Sequence, residues 1–255
     1  MGEIVTISNQ KGGVGKTTTT INLAASLVRS RQRVLLVDLD PQGNATVGSG
    51  VDRGAFEVGT YDLLVGDIVI TEGILSTEPG FDLMPADGDL AGALIELVEM
   101  PARERILSDA LLECRHLYDY ILIDCPPSLS LLTLNALVAA DAVLIPMQCE
   151  YYALEGVTAL LETISKVREG LNPGIRLMGV VRTMFDGRNT LSNEVSDQLR
   201  EFFGEQLFRT IIPRNIRLAE APSFGKPVID YDQQCVGAQA YLALAGEFLS
   251  REESR

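Results

Sequence analysis

The sequence predicts a doubly wound α/β domain built on a mostly parallel sheet, and three observations carry that expectation. Apolar runs of strand length recur along the chain, segments with apolar residues at helical spacing lie between them, and the runs are apolar throughout instead of alternating with polar residues. Continuous apolar strands belong to sheets covered on both faces, and strand–helix alternation builds such sheets by right-handed crossovers. The 255 residues are read as one domain, 1–255, with no internal repeat, low-complexity tract or linker.

The elements follow in order. "EIVTIS" is the first strand, and residues 17–29 form a helix with Ile21, Leu23, Ala24, Leu27 and Val28 inward. "RVLLVDLD" is the second strand, and the glycine-rich stretch 43–59 is expected to be a mobile loop. "FDLMPA" is a short strand, and residues 87–98 and 102–115 are helices. "YDYILIDCPP" is a strand, 131–139 a helix and "AVLIPMQ" a strand. A long helix over 153–170, the strand "IRLMGVV", a helix over 193–203, the strand end "RTIIP" and a closing helix over 237–250 complete the chain.

Composition narrows the function classes. Four cysteines (Cys114, Cys125, Cys149, Cys235) form no C-x-x-C pair, which predicts a reduced, cytoplasmic protein. The one histidine, His116, has no cysteine pair beside it, which argues against a zinc site, and His116 reads as a helix-end surface residue. No apolar run approaches the roughly 20 residues of a membrane span, and no signal peptide is evident. Met1-Gly2 fits a loose myristoylation pattern, but Ile4, Val5 and Ile7 read more strongly as a buried strand. The net charge of −14 argues against a protein coated in nucleic acid, yet residues 176–217 hold seven arginines against five acids.

Between the first strand and first helix stands "SNQKGGVGKTTTT". Gly15-Lys16-Thr17 closes a phosphate-loop pattern, but Gln10 occupies the usual first-glycine position. Gly12, Gly13, Val14 and Gly15 are expected to turn backbone N–H groups toward an anion, backed by the helix N-terminus. Lys16 is expected to reach β/γ-phosphates and the Thr17 hydroxyl to hold Mg²⁺. Asp38 and Asp40 close the second strand, and Asp124 ends a strand shaped like a Walker B segment, all where parallel sheets place ligands. One lysine suffices for a phosphate, so Lys11 is a second cation in need of a role.

Together "KGGVGKTT", "VLLVDLDPQGNAT", "DYILIDCPPS", "QCEYYALEG" and "IPRNIRLAEAPSFGKP" closely resemble the ParA/Soj family of chromosome- and plasmid-partition ATPases, from about residue 2 to 249. The resemblance implies a P-loop NTPase of the deviant Walker A type, with ATP and Mg²⁺ as cofactors. It implies that Lys11 is the signature lysine, reaching across a homodimer to the other subunit's nucleotide. It further implies that Asp40 positions the attacking water, that Asp38 is a second carboxylate near Mg²⁺, that Asp124 is the Walker B aspartate, that Thr18 touches the α-phosphate, and that Pro213 and Asn215 contact adenine.

The same resemblance places non-sequence-specific contacts to double-stranded DNA on Arg188 and Arg217, inside the positively biased segment. It implies a nucleoid-associated ATPase whose hydrolysis is stimulated by a ParB/Spo0J-class partner. The loop "DGRNTL" departs from the family, in which Ala-Arg-Thr-Asn is frequent, and its glycine is expected to loosen the presentation of Arg188. Two rival readings are a MinD-like membrane switch and a DNA-binding regulator in which hydrolysis is incidental. The ending "LAGEFLSREESR" has three acids, two arginines and no extra apolar face, which disfavours the membrane reading.

Overall fold

The strands form because their residues are apolar on both faces, and the helices form because theirs are apolar on one. In the computed structural model, which describes residues 2–66 and 68–253, the order is β1 Glu3–Ile7, α1 Lys16–Arg29, β2 Val34–Asp38, α2 Asn44–Gly48, α3 Thr60–Val65, α4 Ile70–Gly73, β3 Leu75–Ser76, β4 Asp82–Met84, α5 Leu90–Glu96, α6 Ile106–Cys114, β5 Tyr120–Asp124, α7 Leu131–Ala139, β6 Ala142–Gln148, α8 Ala153–Gly170, β7 Arg176–Phe185, α9 Thr190–Phe203, β8 Leu207–Pro213, α10 Ile216–Glu220, α11 Val228–Tyr231 and α12 Val236–Glu253.

Among the described residues the strands make one eight-stranded sheet in the order β3-β4-β2-β5-β1-β6-β7-β8, parallel except where β3 meets β4. Alternate residues of each central strand feed two separate cores. Leu35, Val37, Ile121 and Ile123 pack beneath the helices that include α6, α7 and α8. Val34, Leu36, Tyr120 and Leu122 pack against α1 and α12, where Phe248 meets Tyr120 edge-on at 5.1 Å between ring centroids. That division is why the strands lack alternation in the sequence.

Two expectations are corrected in the first half of the chain. Residues 43–59 do not form one uninterrupted loop, because Asn44–Gly48 is the helix α2. Residues 102–105 precede α6 as turns, so the helix expected from 102 starts at Ile106. The tail used against the membrane reading ends in Ser254 and Arg255, and these two lie outside the described residues, as does Met1.

The doubly wound order places β1 in the interior of the sheet, with β5 between β1 and β2. The carboxyl ends of β1, β2 and β5 therefore converge, which is the position of ligand crevices in open α/β sheets. On the other flank, β7 shifts register against both neighbours. Gly179 sits there, and a Cβ on it would approach the Gln206 carbonyl oxygen to 2.4 Å. Gly179→Ala is expected to cost about 1–3 kcal/mol by forcing the strands apart. Gly156→Ala, in α8 where a Cβ meets nothing within 4 Å, is expected to stabilise by about 0.5–1 kcal/mol. Urea unfolding of the two variants checks both signs.

Candidate functional site

The turn from β1 into α1 is held at two points. Asn9 accepts a hydrogen bond from the Lys11 amide (2.9 Å) and donates its side-chain nitrogen to the Pro146 carbonyl (2.8 Å), anchoring the loop's start to β6. The Thr183 hydroxyl donates to the Val14 carbonyl (2.7 Å), anchoring its crest to β7. Gly13 (φ 73°) and Gly15 (φ 86°) take the left-handed conformations that side chains resist. Gly15 is the N-cap of α1, and no side chain caps the helix, so its first-turn N–H groups are available to an anion.

A cavity of about 350 Å³ opens over this turn, lined by Gly12, Gly13, Gly15, Lys16, Thr17, Thr18, Asp40, Gln42, Asn44, Pro127 and Met184. A second cavity of about 180 Å³ shares Gly15, Thr18 and Met184 with it and is lined further by Pro213, Asn215, Leu218 and Tyr241. The structure thus brings Gly12, Gly13, Gly15, Lys16, Thr17, Thr18 and Asp40 around one space, and Pro213 and Asn215 around its neighbour. Asn215 also caps α10, its Oδ1 accepting from the amides of Arg217 (3.0 Å) and Leu218 (3.3 Å). Val14 does not line either cavity; its side chain is buried.

The carboxylates lie deeper. Thr17 donates its hydroxyl to Asp124 Oδ2 (2.7 Å), and Thr20 donates to Asp124 Oδ1 (2.9 Å). Asp38 and Asp124 are register partners on β2 and β5, and both are wholly buried. Asp38 accepts from the Thr46 amide and hydroxyl (2.8 Å each) and from the Asp40 amide (3.1 Å). Thr46 in turn accepts from the Ala86 amide (2.9 Å). Asp38 therefore organises the stretch that carries Asp40 and α2, and it sits beneath the cavity wall. Burial pushes both buried carboxyl groups well up from the usual range, and the charge of Asp38 adds to the rise at Asp124.

Lys16 is 6% exposed and donates to the Lys11 carbonyl (3.2 Å). Burial lowers its pKa, offset chiefly by Asp124. No cluster of three or more His, Cys, Asp or Glu side chains suited to a metal ion occurs among the described residues. The adjacent Thr17 hydroxyl and Asp124 carboxylate are hard oxygen donors that fit Mg²⁺, a cation that keeps most of its water and takes few protein ligands.

Lys11 behaves differently. Its side chain is 41% exposed and its ammonium pairs with Glu150 Oε2 at 2.5 Å, after the end of β6. It does not line the phosphate cavity. Arg188 is 91% exposed and forms a two-point contact with Asp186 (Nε–Oδ1 2.9 Å, Nη2–Oδ2 2.8 Å), which holds the Asp186 carboxyl down at about 2. Arg217 is half exposed and pairs with Glu220 (2.8 Å) and Asp232 (3.4 Å).

An AAA domain family model matches residues 2–177. The chromosome-partitioning ATPase Soj of Thermus thermophilus is 55% identical over 249 residues, covering 97% of this chain and 95% of that protein. The chromosome partitioning protein ParA of Caulobacter vibrioides is 51% identical over 255 residues, covering 99% and 96%. The chain belongs to the ParA/Soj family of partitioning ATPases. A solved structure of cobyrinic acid a,c-diamide synthase from Mycobacterium smegmatis with bound ADP and magnesium superposes with a TM-score of 0.88 at 37% identity, covering 100% of this chain and 96% of that one.

In this ParA/Soj chain, sequence reasoning missed Gln42, Asn44, Pro127 and Met184 in the cavity wall, and Glu150 as the partner of Lys11. Gln42 and Asn44 directly follow Asp40 in "DPQGN" and could have been found as loop neighbours, whereas Met184 and Glu150 carry no local signal. No helix among the described residues is long and apolar enough to cross a membrane. Thr46→Val leaves Asp38 short of one donor and the Ala86 amide short of its acceptor, so it is expected to cost about 1–3 kcal/mol. Urea denaturation without nucleotide measures that loss.

Proposed function

We propose that this chain is a DNA-partitioning ATPase whose active form is a homodimer with two ATP–Mg²⁺ at the interface. The observation that carries the reading is the contrast between the lysines: Lys16 is buried in its own phosphate loop, whereas Lys11 stands half exposed outside it. An ammonium placed there is available to a nucleotide held by a second copy, where it offsets the repulsion between two anionic nucleotides face to face.

Within each protomer, the N–H groups of Gly12 to Thr18 and the Lys16 ammonium bind the phosphates, with Thr18 at the α-phosphate. Thr17 and Asp124 hold the cation, Asp124 acting through the Thr17 hydroxyl or a bound water, and Asp38 supplies a second negative charge beneath. Mg²⁺ supplies charge neutralisation at the phosphate oxygens when bound. Pro213 and Asn215 border the smaller cavity, suited in size and apolar lining to a base. Asp40, 8% exposed and fixed by the Gln42 amide (2.9 Å), positions the attacking water. Hydrolysis dissolves the dimer, and a ParB-class partner accelerates it.

Arg188 and Arg217 then contact DNA phosphates without reading sequence, and doubling the patch by dimerisation multiplies a weak interaction. Both arginines stand in ion pairs with their own chain's carboxylates, so DNA phosphates compete with Asp186 and Glu220 for the same guanidinium groups. That competition keeps the protomer's grip weak and makes the avidity of the pair decisive. The working location is the nucleoid.

Retention on random-sequence duplex DNA tests the reading. ATP is expected to support retention, ADP is not, and raised salt is expected to release the protein. Asp40→Ala is expected to cut turnover at least tenfold while leaving a DNA-bound dimer. Arg188→Glu or Arg217→Glu is expected to leave the dimer and reduce retention at least tenfold. Asp186→Asn, which frees the Arg188 fork, is expected to tighten DNA binding severalfold at low salt. Asp40→Ala dimers that ignore DNA at low salt would overturn the reading.

A further inference from the structure

A cavity of about 540 Å³ lies away from the phosphate loop, on the flank made by α9, β8 and α12. Its charged lining is Arg182, Arg200, Arg209 and Arg251 against Glu205 and Glu247. Four guanidinium groups facing two carboxylates is a positive excess, in a chain whose net charge is −14. Glu247 is already engaged: it accepts from the amides of Arg209 and Thr210 (2.8 Å each) and pairs with Arg251 (2.9 Å). Both amides belong to β8, an edge strand of the sheet.

Arg182 is the group that the fold does not explain. It is only 3% exposed, and its guanidinium donates solely to neutral oxygens: Ser196 Oγ (2.9 Å), the Phe208 carbonyl (2.8 Å) and the Arg209 carbonyl (3.2 Å). Its Nε, fully buried, has no acceptor. A buried cation without an ion-pair partner is costly, and a buried N–H without an acceptor adds to that cost. Arg200, beside it in the lining, is paired with Asp197 (2.7 Å) outside the cavity. Arg200 and Arg209 are exposed, so the cavity is open to solvent on the side where these two guanidinium groups stand.

We propose that this cavity is an oxyanion site for phosphate groups, distinct from the phosphate loop and large enough for more than one phosphate. Arg182 supplies a fixed, desolvated charge at its inner wall, and Arg200 and Arg209 supply the mobile charges that close on the ligand. The phosphates can come from a small free polyphosphate compound or from the backbone of DNA, and the two sources share this chemistry. The site lies toward the start of β8, whereas Arg188 and Arg217 follow the carboxyl ends of β7 and β8.

The test uses the full chain with its phosphate loop saturated by ADP and excess Mg²⁺, titrated calorimetrically with tripolyphosphate at low salt. The wild type is expected to bind one further equivalent, Arg209→Glu to bind at least tenfold more weakly, and Arg188→Glu to bind as the wild type does. Because Arg209 is exposed, its substitution spares the core. Absence of binding in the ADP-saturated wild type, or equal binding by Arg209→Glu, overturns the proposal. The same variant is then measured for ATP-dependent retention on random duplex DNA. Retention unchanged while tripolyphosphate binding is lost assigns the site to a small free phosphate compound. Loss of both assigns it to backbone phosphates.

Discussion

The hydrogen bond from Thr17 to Asp124 ties the first turn of α1 to the sheet, and the alignment of the phosphate loop with the buried carboxylates depends on it. Gly13 and Gly15 give the turn its shape but nothing to hold it, since neither has a side chain to pack. Asp124 can hold the first turn of α1 only because β5 lies between β1 and β2, which sets its carboxylate beneath the loop. Thr20, one turn along, takes the other oxygen of the same carboxylate. Strand order, a property of the whole chain, thus decides where one hydroxyl stands.

Charge is arranged in depth. Two buried carboxylates lie lowest, the Lys16 ammonium above them, and Asp40 at the wall. Burial makes the lower carboxylates poor anions and Lys16 a poor cation, and the charge of Asp124 offsets part of the loss at Lys16. A phosphate with its cation adds the missing charges of both signs, which fits a site whose occupancy must be felt by its surroundings. Lys11 stands apart, with a carboxylate partner from the end of β6 that is itself half exposed. An exposed pair of this kind is weak and readily exchanged.

Much of this was legible in the sequence because the relevant residues are close together in it. The strand before and helix after Gly12 to Thr18 marked the loop, and apolar runs ending in Asp38 and Asp124 marked the converging strand ends. The short elements were less legible: α2, α4, α10 and α11 have five residues or fewer, too short to show a helical period, and β3 is two residues long. The direction in which Asp38 faces depended on Thr46 and Ala86, which belong to separate segments. Glu150 meets Lys11 across 139 residues, and Arg182 reads in sequence as one arginine interrupting an apolar strand. Contacts of that range are set by the fold, and no local pattern reports them.

The central claim is that Lys11 acts on a nucleotide held by another copy of the chain. Sedimentation of Lys11→Ala with ATP, alongside equilibrium binding of the same nucleotide, tests it most directly. The account predicts that the variant binds ATP within a few-fold of the wild type yet remains monomeric where the wild type dimerises. Dimerisation of Lys11→Ala at wild-type concentrations, with wild-type turnover, would contradict it.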